Sequence, residues 1–238
     1  MNEGEIGAKA TRKSDLPVRL LSALAMLAVL IGSLLLGGPW FDVLVVLVAI
    51  VTFGEFVLLV VMATTGAIWR AVGILFAVVY VGLAAWMLVG LEGDFLLRAL
   101  GAVIFTDTGA YFVGRAIGGP RIAPRISPSK TWAGLFGGML FSGLFMVGIV
   151  VATYYIRDVR TVGEFIDLAM PEAIMMFGFG AVLAIAAQVG DFFESWLKRK
   201  AGVKDSSKLI PGHGGVFDRV DGLLPVALIV GVIMTMAY

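Results

Sequence analysis

Seven apolar stretches divide this chain of 238 residues, and each approaches the length of a membrane crossing. They run from Val18 to Leu36, Phe41 to Met62, Ile68 to Leu91, Phe95 to Val113, Trp132 to Tyr155, Ala173 to Phe193 and Leu223 to Tyr238. A helix needs about 20 mostly apolar residues to cross the hydrocarbon core. Backbone polar groups find no water there, so a chain of this pattern spans as helices. The expected fold is all-α, a polytopic transmembrane helical bundle of about seven spans, with a range of six to eight. The range reflects a last stretch of only 16 residues and a fourth that carries Asp107. The composition agrees: 60% of residues are hydrophobic and 15% charged, against about 45–50% and about 25% in a soluble domain.

Cation placement orients the bundle. With the N-terminus in the cytoplasm, 15 of the 18 lysines and arginines fall on the inner side, and only Arg98, Arg157 and Arg160 fall outside. That bias follows the positive-inside rule and puts both long polar loops, residues 114–131 and 194–221, on the cytoplasmic face. Lys9 to Arg19 ahead of an apolar run also resembles a secretion signal. The run is long, however, and ends in Leu-Gly-Gly-Pro without a small-x-small cleavage site, so it reads as a retained first span. Gly134, Gly137, Gly138 and Gly143 would let helices approach closely within one subunit or between two, which leaves room for a homodimer.

The chain has no cysteine and one histidine, so thiolate chemistry and a His-rich zinc site are excluded and any metal must be a hard cation held by oxygens. Asp107 lies inside an apolar stretch, where a carboxylate costs a few kcal/mol unless it faces protein or water. In a helix it shares a face with Tyr111 and Arg115, the latter about 12 Å along the axis. The loop 114–131 gathers Arg115, Arg121, Arg125 and Lys130, a cluster suited to lipid headgroups or a phosphorylated substrate. On the helix leaving the sixth stretch, Gln188, Asp191, Ser195 and Lys198 recur at steps of three and four on one face. From Ser195 to Asp221 come six cations, three carboxylates and the only histidine. Within that segment Asp218 and Asp221 stand one turn apart, a spacing suited to magnesium bridged by phosphates.

Ser195, Lys198, Arg199, Lys204, Asp205, Pro211, His213, Gly214, Gly215, Asp218, Arg219 and Asp221 fall without a gap on a pattern of twelve specified positions. That pattern resembles the signature of the phosphatidate cytidylyltransferases, also called CDP-diacylglycerol synthases. Two upstream segments agree with it, D-T-x-A-Y-x-x-G-R from Asp107 to Arg115 and I-S-P-x-K-T-W-x-G from Ile126 to Gly134. The sequence departs from the family where Gly119 is followed by Pro120 in place of a lysine, and at Ala133, where many members carry Glu or Gln.

The resemblance implies one integral membrane domain over residues 1–238, with N-terminal spans over 1–100 and a catalytic part over 101–238. It implies that phosphatidic acid and CTP give CDP-diacylglycerol and pyrophosphate, with Mg2+, in phospholipid synthesis at a bacterial inner membrane. Asp191, Asp218 and Asp221 are then the expected metal ligands, and Lys208, His213 and Arg219 join Asp218 and Asp221 as catalytic residues. Ser127, Lys130, Thr131, Ser195, Lys198, Arg199, Lys204, Asp205, Gly214, Gly215 and Asp107 are the expected substrate-binding residues. Membrane lipids are expected partners and nucleic acid is not. Two rival readings are a CTP-dependent enzyme acting on another lipid phosphate or lipid alcohol, and an ion-coupled transporter built around Asp107.

Overall fold

The computed structural model describes residues 16–91, 93–156 and 161–237. Lys9, Arg12, Lys13, Arg157 and Arg160, which enter the charge count, lie outside the described residues. Six helices are long and apolar enough to cross a membrane, followed by a shorter apolar one. They are α1 (Leu16–Leu36), α2 (Pro39–Ala63), α3 (Ala67–Gly90), α4 (Gly93–Ile117), α5 (Trp132–Ile156) and α7 (Met170–Ala201), then α9 (Leu223–Ala237). Between α5 and α7 lie a short α6 (Val162–Glu164) and a π-helical turn (Phe165–Ala169). The 15 residues of α9 span about 22 Å, less than the roughly 30 Å of a hydrocarbon core.

One local feature departs from expectation. Loop 114–131 contains a small antiparallel hairpin, β1 (Arg121–Ala123) against β2 (Ser127–Thr131), so the bundle is not wholly helical. Helix α7 runs past Phe193 to Ala201, as the helical spacing from Gln188 to Lys198 predicts. Its final turn carries Lys198, Arg199 and Lys200, which complement the negative end of the helix dipole. Gly202 then closes it at φ 73°, donating its N–H to Arg199, the left-handed cap that glycine adopts without strain.

The glycines of α5 serve packing within the chain. Gly137 and Gly138 face Val113 and Thr106 of α4, and Gly143 faces Phe177 of α7. Close approach holds α4 and α7 on either side of α5, with buried Met146, Leu183 and Val226 among the core side chains. A second core stacks Phe56 of α2 on Phe217 at 5.1 Å and packs Phe193 of α7 against Phe56, Phe76 and Tyr80. Both polar loops emerge at the same end of the bundle, where Arg199 reaches the Ile126 carbonyl of the hairpin.

Candidate active site

Lys130, at the end of β2, donates to Gln188 Oε1 at 3.0 Å and to the Asp191 carboxylate on α7. Ser195 adds a contact to Asp191 Oδ1 at 3.4 Å. Three of the four residues predicted to share one face of α7 therefore meet at one place, with a cation from the hairpin. Lys198, the fourth, bridges Glu194 and Asp218 at 2.5 Å each. Glu194 is almost fully buried and was not singled out in the sequence, although it stands three residues after Asp191 and four before Lys198.

Asp218 sits in α8 (Phe217–Val220) with both carboxylate oxygens engaged. Oδ1 takes Lys198, and Oδ2 accepts from Ser206 N, Ser206 Oγ and Gly215 N at 2.8–2.9 Å. Burial alone would raise its pKa, but hydrogen bonds from Glu194, Lys198, Gly215 and Ser206 outweigh it and hold the carboxyl well below the usual range. Asp221 behaves oppositely. Burial first, then the charge of Asp191, pushes its carboxyl up, and its one described hydrogen bond comes from Gly222 N at 2.8 Å. Asp107 shares this neighbourhood, since Lys130, Asp191 and Arg219 all act on it.

A network absent from the sequence reading anchors this loop. Glu55, buried in α2, accepts from Ser206 Oγ at 3.0 Å, Ser207 Oγ at 2.5 Å, Val216 N at 3.1 Å and Phe217 N at 2.7 Å. It caps the start of α8 from another helix. Gly215 was expected among the substrate-binding residues, where the lack of a side chain would leave room for a ligand. In the structure that room is filled: a Cβ there would meet Ser206 Oγ and both Glu55 oxygens. Gly214, at φ 85°, turns the chain tightly beside Asp218 and Asp205. The site also draws on residues before 100, so the division between N-terminal spans and a catalytic part does not isolate it.

Two cavities flank the carboxylates. The first, about 500 Å³, is lined by Arg19 of α1 with Lys204, Asp205, Lys208, His213 and Arg219. Arg219 is held by the His213 carbonyl at 2.6 Å. Ser22 Oγ lies 3.0 Å from the Pro211 carbonyl, 3.1 Å from that of Arg19 and 2.7 Å from His213 Nδ1. The direction of the Ser22–His213 hydrogen bond follows the imidazole tautomer, and in either direction it ties His213 to α1.

The second cavity, about 310 Å³, is lined by Tyr111 and Arg115 of α4 with Lys130, Thr131, Leu135 and Gln188. Tyr111 and Arg115 thus share a wall, as their spacing predicts. Thr131 has a second duty, because its Oγ1 accepts Gly134 N at 3.1 Å as the N-cap of α5. Thr131→Ala is expected to cost about 1 kcal/mol of stability while Thr131→Ser retains it, measured by thermal unfolding in detergent. Ser127 is buried, paired with Ala123 at the turn end of the hairpin, and lines neither of these cavities. Arg199 is engaged with the hairpin backbone.

A helical membrane bundle whose one end gathers cations into two cavities around buried carboxylates is an integral-membrane protein equipped to bind two polyanions side by side. The sequence model of the cytidylyltransferase family matches residues 56–237. Phosphatidate cytidylyltransferase of Brucella suis biovar 1 is 39% identical over 211 residues, covering 82% of this chain and 71% of the relative. The Rickettsia bellii protein of the same name is 32% identical over 219 residues, 91% of this chain and 90% of the relative. The chain belongs to the cytidylyltransferase family, and is a membrane-embedded nucleotidyltransferase.

Proposed function

We propose that this enzyme transfers the cytidylyl group of CTP to phosphatidic acid, at the cytoplasmic face of a bacterial inner membrane. The observation that carries the reading is a pair of cationic cavities, each joined through one of its lining residues to the carboxylates Asp191 and Asp218. Lys130 of the second cavity holds Asp191, while Gly214 and Arg219 of the first adjoin Asp218. Relatives named phosphatidate cytidylyltransferase support the substrate pair. The first cavity, with Arg19, Lys204, Lys208 and Arg219, suits a triphosphate. The second, with lipid-accessible Tyr111 beside Arg115 and Lys130, suits a lipid phosphate whose acyl chains stay in the bilayer.

A phosphate oxygen of phosphatidic acid attacks the α-phosphorus of CTP, and the bond to the β-phosphate oxygen breaks as pyrophosphate leaves. The attacking phosphate is already an anion, so no covalent enzyme nucleophile and no general base are required. The protein's task is to offset repulsion between two polyanions and hold them in line. Lys130 and Arg115 would hold the nucleophile, while Lys204, Lys208 and Arg219 would take the charge that grows on the leaving group.

Magnesium is the hard cation this chemistry implies. Among the described residues no three acidic or histidine side chains form a preformed cluster for a metal. Asp191 and Asp221 nevertheless fit, being two carboxylates close enough that the charge of Asp191 raises the proton affinity of Asp221, and magnesium commonly takes one or two carboxylates plus substrate phosphates. Asp218, expected as a third ligand, is better read as an anchor, since protein donors already occupy both its oxygens. When bound, magnesium would neutralise phosphate charge.

Purified protein given phosphatidic acid, CTP and magnesium should release pyrophosphate and form CDP-diacylglycerol. Product from a polyprenyl phosphate but none from phosphatidic acid would reassign the lipid. Lys204→Ala and Lys208→Ala should each raise the KM for CTP about tenfold with little change for phosphatidic acid, and Arg115→Ala should do the reverse. A single pattern shared by all three variants would remove the assignment of cavities to substrates.

A further inference from the structure

We propose that Glu55 is a positioning residue for this reaction, a carboxylate inside the second span that sets the geometry of the loop carrying Asp218 and Asp221. The proposal rests on the cytidylyl-transfer reading above. Glu55 lies eight residues before the end of α2 at Ala63, about 12 Å along the helix. The loop therefore descends into the bundle to reach it. Phe56, the next residue, stacks on Phe217, so two successive α2 side chains grip the Val216–Phe217 step, one by charge and one by ring.

A carboxylate within an apolar span is costly unless it is compensated, and among the described residues Glu55 has no lysine or arginine paired with it. Four donors compensate it instead, and all four belong to the signature loop. The connection onward is short. Ser206 Oγ stands between Glu55 Oε2 at 3.0 Å and Asp218 Oδ2 at 2.9 Å, and Ser206 N bonds Asp218 directly. Gly215 has its only side-chain space occupied by Glu55 and Ser206 while its N–H holds Asp218. Moving Glu55 moves the start of α8, and with it both aspartates.

Glu55→Gln tests this sharply. Val216 N addresses Oε1 and Phe217 N addresses Oε2, so either orientation of the amide turns an –NH2 against a backbone donor. Turnover should fall about ten- to a hundredfold, as expected when reacting groups are misplaced by a fraction of an ångström to an ångström. The KM for phosphatidic acid should stay within about twofold, because the second cavity is not built by this loop. Hydrogen–deuterium exchange should rise over residues 204–221 while α4 and α5 keep their protection. Ser207→Ala, which removes one of the four bonds, should show a smaller change of the same kind should Glu55→Gln fail to fold.

Turnover within twofold of wild type in Glu55→Gln would overturn the proposal. So would a loss matched by exchange rising equally throughout the bundle, which is the mark of general destabilisation. Absence of any CDP-lipid from the wild-type enzyme would instead strike the functional reading. The exchange pattern would still decide whether Glu55 orders the loop.

Discussion

Asp221→Asn is expected to lower CDP-diacylglycerol formation by about a thousandfold, the scale on which a central electrostatic group contributes, without lowering the melting temperature. Asp221 is half-buried near Asp191, and desolvation together with that charge raises its proton affinity above that of the unfolded chain. The folded state therefore binds this proton more tightly than the unfolded state, so ionisation costs stability as the pH rises through neutrality. A neutral asparagine removes that cost, and in magnesium-free buffer the variant should unfold at the same temperature or higher. Its stabilisation by added magnesium should also disappear, because a ligand stabilises only the state that binds it.

Asp218→Asn should lose activity together with stability. It leaves Lys198, whose side chain is 12% exposed, with Glu194 where two carboxylates had stood, and breaking a buried charge network costs about 3–5 kcal/mol. Two aspartates three residues apart thus separate by their unfolding curves, although both abolish turnover. Equal loss of stability in the two variants would show that Asp221 is an anchor too.

That separation is not visible in the spacing. The twelve-position pattern identifies which residues share a task, because spacing survives in the sequence. Partnership does not survive, since Lys130 and Asp191 lie 61 residues apart and meet only when the hairpin folds over α7. The hairpin itself was illegible: Ser-Pro-Ser-Lys-Thr has neither the alternation nor the β-branched content of a strand, and its pairing comes from the bundle end that supports it. Helix α7 was legible beyond the end of its apolar stretch at Phe193, because the steps of three and four from Gln188 to Lys198 keep helical spacing up to the glycine cap. Glu55 was open to detection. It obeys the same membrane cost that marks Asp107, yet a single carboxylate between Gly54 and Phe56 vanishes into the average hydropathy of its span. Spans were legible because lipid imposes length and polarity on every one of them.

Gly190→Ala should be nearly as damaging as loss of Asp221, with activity down about a hundredfold or more. In a helix, alanine is intrinsically favoured over glycine by about 1 kcal/mol, so propensity alone predicts a gain. Packing reverses the sign. A Cβ on Gly190 would collide with the Asp221 carbonyl oxygen and lie 2.9 Å from Pro225 Cγ, and backbone cannot yield as a side-chain tip does. Overpacking of this kind costs about 1–3 kcal/mol. The displaced elements are the two that carry the metal candidates, because Asp191 follows Gly190 and Asp221 supplies the struck carbonyl. Gly82→Ala on α3 is the matched control, since nothing lies within 4 Å of its Cβ. It should be neutral or slightly stabilising at full turnover. Loss at Gly190 with retention at Gly82 would locate the requirement in the contact between α7 and the Asp221 turn, where the two carboxylates of the site are brought together by the absence of a single methyl group.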